Sequence, residues 1–173
     1  MEIIENLEAW EAEYKSTWLA HYNETGETNW KIYPKPTNTS TPSGKGIDLS
    51  QSRLILITTS GGYLKDSQAP FDADDDLGDY SIRTFPMSTS FNVLGYSHSH
   101  YDHTDVNKDP QVLLPLRHLE EFAAEGMIGE LVPTVVSYMG YQPDAARTVR
   151  ETIPAIVDFA LAEKAHAALL VPA

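Results

Sequence analysis

A chain of 173 residues with 12 Lys and Arg against 25 Asp and Glu carries a formal charge of −13, so its average surface repels phosphate backbones and anionic membranes; nucleic acid and membrane are not expected partners. A hydrophobic fraction of 42% is enough for a packed core, and at this length one compact domain burying roughly two-thirds of the unfolded surface is expected. The absence of cysteine removes disulfides, thiolate metal sites and thiol catalysis from these residues.

The N-terminus, MEIIENLEAWEAEYK, is acidic and amphipathic, unlike a basic-then-apolar leader, and no apolar run approaches the roughly 18 residues of a spanning helix. A cytoplasmic location is expected. Ile3, Leu7, Trp10, Tyr14, Trp18 and Tyr22 recur at spacings of three and four, which predicts one long helix within residues 1–24, from about residue 2 to 23. Its aromatic stripe reads as core, packed on the domain or on a neighbouring subunit. Residues 25–46 are rich in Thr, Asn, Ser, Pro and Gly and predict an extended arm. Residues 47–173 then form the main domain.

RLILITT, at residues 53–59, is continuous and β-branched, as a strand covered on both faces would be. Ser60, Gly61 and Gly62 end it in a turn where glycines allow a ligand or cofactor close to the backbone, although no G-x-G-x-x-G pattern is present. Residues 64–80 predict an acidic loop; Asp72, Asp74, Asp75 and Asp76 lack the Gly and distant Glu of a calcium loop. Strands follow at about 80–86 and 91–97. Next come a helix through Leu116, Leu119, Phe122 and Ala123 closing at Gly126 or Gly129, a strand in LVPTVVSYM, a helix from Pro143 that Pro154 kinks or restarts near Thr152, and a final buried strand in HAALLVPA. This alternation predicts an α/β fold: a mostly parallel sheet flanked by helices, preceded by the long N-terminal helix and extended arm.

Three of six histidines fall in YSHSHYDHTD, residues 96–105, where the second of those strands ends, the place at which α/β sheets carry ligands. On an extended segment His98, His100 and Asp102 would point the same way, with His103 turning in after them. Two functional uses of the cluster stand beside a purely structural one. His98, His100, Tyr101, Asp102, His103 and Asp105 can form an acid/base and substrate loop, since imidazole titrates near neutral pH and carboxylates fix its tautomer. Alternatively His98, His100 and His103 can hold a divalent transition metal such as Zn, Fe, Ni or Cu, the only cofactor that the residues point to. His118 and His166 read as structural, and His21, on the first helix, as a surface residue. Tyr138 to Tyr141 end a strand at the same rim, where one tyrosine could line the cleft, although each reads first as packing; Arg83 suits either a bound carboxylate or an ion pair with the acidic loop.

The string H-x-H-x-D-H is also the signature of the metallo-β-lactamase family, which implies a metal-dependent hydrolase. That fold is a sandwich of mainly antiparallel sheets with further downstream ligands, and this chain has neither the rhythm nor the residues for it. A broader resemblance runs through GIDLSQSRLILITTSGGYLKDSQAPF, GDYSIRTFP, SHSHYDHTDVNKDPQVLLPLRHLEEFAAEGMIGEL and SYMGY: in these blocks the chain resembles the selenoprotein B family of glycine, sarcosine, betaine and D-proline reductases. The resemblance implies reductive cleavage of a C–N bond in a small amine or amino-acid-like substrate. It further implies a complex with another reductase subunit, or a homo-oligomer, and a histidine loop that binds substrate or protonates the departing amine. The family's selenocysteine or cysteine lies just after the strand that AALLVPA resembles. Because the chain ends at Ala173, the expectation is a product cut before its nucleophile, as a UGA codon read as stop would leave it, and inactive in the reduction as it stands.

Overall fold

The computed structural model describes residues 3–41 and 45–173; Met1, Glu2 and residues 42–44, which include part of the expected arm, lie outside the described residues. The fold is α/β, a mostly parallel sheet with helices against it.

The sheet is organised by β1, Arg53–Thr58. Its side chains alternate between two buried faces. Leu54 and Leu56 join a cluster with Phe85, Leu114 and Leu116, while Ile55 and Ile57 join Val132 and Val136 on the other side. A strand covered twice has no use for polar alternation, which is why its sequence is uninterrupted. β5 (Glu130–Leu131) and β6 (Thr134–Tyr138) pair in parallel with the beginning and end of β1, and β7 (Ala167–Val171) pairs in parallel along Leu54–Thr58. β3 (Ile82–Pro86) runs antiparallel to β6.

Several expectations need correcting. The N-terminal helix is two helices, α1 (Leu7–Ser16) and α2 (Trp18–Thr25), broken at Thr17, whose φ of −116° and ψ of −85° leave the helical region. The Thr17 hydroxyl donates to the Glu13 carbonyl at 2.6 Å, competing with the backbone ladder. The stripe survives the break. Trp10, Tyr14 and Trp18 are buried and stack in turn at 5.0 and 5.5 Å, against Ala145 and Ala146 of the same chain, whereas Ile3 lies exposed.

The strand expected at 91–97 shrinks to β4, Leu94–Tyr96, preceded by a 3-10 turn. It pairs antiparallel with β2, Gly62–Leu64, a strand the sequence does not announce. The histidine loop therefore leaves a two-stranded ribbon and not the main sheet. LVPTVVSYM divides into β5 and β6 around Pro133, which has no N–H to give the ladder.

After α3 (Thr104–Lys108), α4 (Leu116–Ala124) buries Leu116 and Leu119, leaves Phe122 exposed, and is followed by Gly126 at φ +75°. The last helical run begins with α5 (Ala145–Arg147), widens into a π segment at Thr148–Thr152, and continues as α6 (Ile153–Ala162). Pro154, without an N–H, is where the ordinary ladder cannot be kept. β7 is half-exposed, with Leu170 at 67%, because among the described residues it is paired along one edge; the expected buried strand is an edge strand. No helix among the described residues is long and apolar enough to cross a membrane.

Candidate functional site

The C-terminal ends of β1 and β6 remain linked beyond the strands. Gly61 N–H donates to Tyr138 O at 3.0 Å, Gly140 N–H donates to Thr59 O at 3.1 Å, and Ser60 bridges Met139. Gly61 has φ +65°, and a Cβ there would lie inside contact distance of the Ser97 carbonyl, so the turn admits glycine alone. Ser97 N–H donates to Gly61 O at 2.9 Å, which lays the start of the histidine loop directly on the Ser60–Gly62 turn. Tyr101 OH closes the arrangement by donating to Ser60 O at 3.1 Å. The Ser60 amide donates to Thr58 Oγ1 at 3.2 Å, so the Ser60 and Gly61 amides are both committed within the chain. The turn supports the loop and does not offer those two amides to a ligand.

The loop itself is bent, not extended. Ser97 and Ser99 hydroxyls donate to Phe71 O and Ala73 O, each at 2.7 Å, pinning it to the acidic loop at two points. His98, only 7% exposed, turns inward, and its Nδ1 accepts the His100 amide N–H at 3.2 Å. The proton of neutral His98 therefore sits on Nε2. Burial, helped by the neighbouring imidazoles of His100 and His103, pushes the His98 pKa down to about 4. His103 Nε2 lies 2.8 Å from the His98 carbonyl, which only accepts, so His103 donates from Nε2. The Ser99 hydroxyl gives its proton to Ala73 O and lies 3.2 Å from His100 Nδ1, which places the His100 proton on Nδ1 and a lone pair on Nε2. The His100 ring stacks on Tyr141 with centroids 3.7 Å apart and planes 5° from parallel.

The expected carboxylate-to-imidazole bonds do not form. Asp102 Oδ1 accepts from the Thr104 amide at 2.8 Å and its hydroxyl at 2.7 Å, and these bonds hold the carboxyl below the usual range. The chain turns into α3 directly after Asp102, so the free amides of the first turn are the nearer partners. Asp105 is exposed and lies 3.6 Å from Lys108. Main-chain groups and Ser99, not aspartates, set the tautomers.

The three imidazoles named as metal ligands each face a different partner, and among the described residues no group of three or more His, Asp or Glu side chains converges as a metal site would require. The residues therefore do not fit a metal cage. The parallel sheet also departs from the antiparallel sandwich of the metallo-β-lactamase resemblance.

Tyr101, Asp102, Asp105, Lys108 and Leu113 line a cavity of about 450 Å³, and Ala173 lies in the same wall. The Ala173 amide donates to Thr59 Oγ1 at 2.7 Å. Beside it, a Cβ on Gly140 would sit 3.1 Å from Thr59 Oγ1 and 3.3 Å from His98 Nε2, so glycine lets both groups pack close against the backbone there. Thr59 and Gly140 carried no functional signal in the sequence. Tyr141 had one, its place at a strand end on the rim of the site. His118 lies exposed beside Glu121, and His166 Nδ1 accepts the Arg53 amide at 3.1 Å, so neither belongs here. Arg83 pairs with Asp79 at 3.9 Å and covers the Phe71 ring.

A family model described as glycine/sarcosine/betaine reductase selenoprotein B matches residues 24–171, which include every side chain of this site but not Ala173. The chain belongs to that selenoprotein B family. Among relatives, D-proline reductase subunit gamma of Acetoanaerobium sticklandii is 33% identical over 123 residues, covering 71% of this chain and 49% of that protein. Sarcosine reductase complex component B subunit beta of Peptoclostridium acidaminophilum is 30% identical over 122 residues, covering 66% of this chain and 27% of the relative. The chain thus spans about half the length of one selenoprotein B relative and about a quarter of the other. No solved structure gives a significant match.

Proposed function

We propose that this chain forms the substrate-binding and proton-handling part of a reductase subunit that cleaves a C–N bond in a small amine or amino-acid-like molecule. The observation that carries the reading is His98. It is a buried imidazole of fixed tautomer, inside the family-matched residues, whose Nε2–H lies beside Thr59 and Gly140.

With a pKa near 4, His98 is neutral at pH 7, which suits it to donate a hydrogen bond to a substrate carboxylate and not to deliver a proton. Proton transfer falls to His100, whose exposed Nε2 can take a proton from solvent and pass it to the departing nitrogen. Asp102 and Asp105 at the adjacent cavity give a negative potential that draws in an ammonium group. In the reaction a selenolate or thiolate attacks carbon, the C–N bond breaks, and the nitrogen leaves with the bonding pair and takes up a proton. Since these 173 residues contain no cysteine, the nucleophile and the thiol that later reduces its adduct come from outside them, in the assembled complex. The acidic, cysteine-free composition suits a cytoplasmic setting.

The test is an NMR titration of histidine-labelled protein, alone and with its partner subunit, using glycine, sarcosine, betaine and D-proline as probes. At least one is expected to move the His98 and His100 resonances, and His98→Phe, which has no donor, is expected to weaken the His100 response about ten-fold, the loss of one hydrogen bond to a charged group. Resonances that stay still with all four probes in the assembled complex would refute the assignment.

A further inference from the structure

An exposed imidazole ordinarily samples several rotamers, yet His100 is held on two sides. Ser99 Oγ lies 3.2 Å from Nδ1, and Tyr141 covers one face at 3.7 Å. Tyr141 is itself fixed at both ends. Its hydroxyl donates to Asp76 O at 2.9 Å, and the Trp30 ring stands edge-on to it at 5.8 Å and 75°. Trp30 in turn packs on Trp18 at 5.3 Å and Tyr33 at 5.2 Å, joining it to the buried aromatic stack of α1 and α2. A continuous run of rings therefore links the N-terminal helices, through the arm, to a side chain of the histidine loop.

We infer that Tyr141 is a positioning residue for His100, keeping its imidazole in one rotamer with Nε2 directed outward, and that Trp30 transmits support from the N-terminal aromatic cluster to that stack. Near-parallel stacking at this distance restricts rotation about χ2, because turning the imidazole would drive its edge into the tyrosine face. The N-terminal segment thereby becomes part of the site's machinery, in addition to being a packed appendage. That His100 serves the chemistry rests on the reading above; its orientation by Tyr141 stands on ring geometry alone.

Two readouts on the free chain report the orientation. In wild-type protein the His100 ring protons are shifted upfield by the tyrosine ring current, and its Nε2 is carbethoxylated by diethyl pyrocarbonate at a rate set by a single rotamer. Tyr141→Leu is expected to abolish the ring-current shift and change the carbethoxylation rate by about three-fold or more, Tyr141→Phe to preserve both, and Trp30→Ala to fall between. Far-UV circular dichroism accompanies each variant. A folded Tyr141→Leu protein with unchanged His100 shifts and rate would overturn the inference. Should Tyr141→Leu not fold, a Trp30→Ala protein with wild-type values would overturn the role of the N-terminal cluster, and a Tyr141→Phe protein without the upfield shift would overturn the stack. Both readouts are independent of substrate, so the inference can fail while the proposed chemistry stands.

Discussion

The Tyr101 hydroxyl donates to the carbonyl of Ser60 at 3.1 Å across 41 positions of chain, fastening the crowded histidine loop to the end of the central strand β1. Burial raises the Tyr101 pKa, so the phenol remains a donor throughout the physiological range. Tyr101→Phe is expected to cost about 1 kcal/mol and to speed amide exchange in residues 97–103, measured by urea unfolding and hydrogen exchange. Unchanged exchange in that segment would mean that the bond does not hold the loop.

His98 makes stability depend on pH with a definite sign. Its folded pKa of about 4 lies below the ordinary value of about 6.5, so between these values the unfolded chain binds more protons. The His98 contribution is complete above pH 6.5 and is lost as the pH drops toward 4, about 3 kcal/mol in all. Glu11, held at about 2 chiefly by its hydrogen bond to Arg150, loses its own contribution mostly between about pH 4.5 and 2, so a lower limit of pH 4.5 keeps the two largely apart. Urea unfolding at pH 7.5 and 4.5 should show a smaller difference in His98→Gln than in wild type.

Gly61→Ala is expected to lose at least about 2 kcal/mol, because the added methyl meets the Ser97 carbonyl in a left-handed conformation that alanine disfavours. A midpoint in denaturant within error of wild type would contradict the geometry of the turn.

At Gly140 the consequence is different. A methyl there lies 3.3 Å from His98 Nε2 and 3.0 Å from Thr59 Cβ, tight contacts that small shifts can absorb. Gly140→Ala should therefore fold but lose most of the response of His98 to added amine in the NMR titration. A response of wild-type size would show that the space beside Gly140 is not where ligand sits.

Trp18 has no exposed surface and stacks between Tyr14 and Tyr22. Trp18→Ala should cost about 3–5 kcal/mol, and Trp18→Phe clearly less, measured by thermal unfolding. A loss below about 1 kcal/mol for the alanine variant would show that the N-terminal helices add little to the fold.

What the residue order determined by itself is the framework. The uninterrupted RLILIT run had to be a doubly covered strand, the four-residue spacing of Trp10, Tyr14 and Trp18 had to be a buried stripe, and helix alternating with strand had to give a largely parallel sheet, since each pattern is a local periodicity with one economical way of burying its apolar atoms. The family, too, was legible, because its blocks are contiguous in the chain.

The tertiary structure alone decided what the histidines contact. Gly62–Leu64 is too short to carry a period, so the β2–β4 ribbon that redirects the loop could not be read from the chain. Nor could the capture of Asp102 by the first turn of α3, the different partner that each imidazole finds, or the stacking of Tyr141 on His100. Each depends on which loops come to lie side by side. Hydrogen bonds and ring contacts act over a few ångströms of space, and no spacing along the sequence encodes that distance.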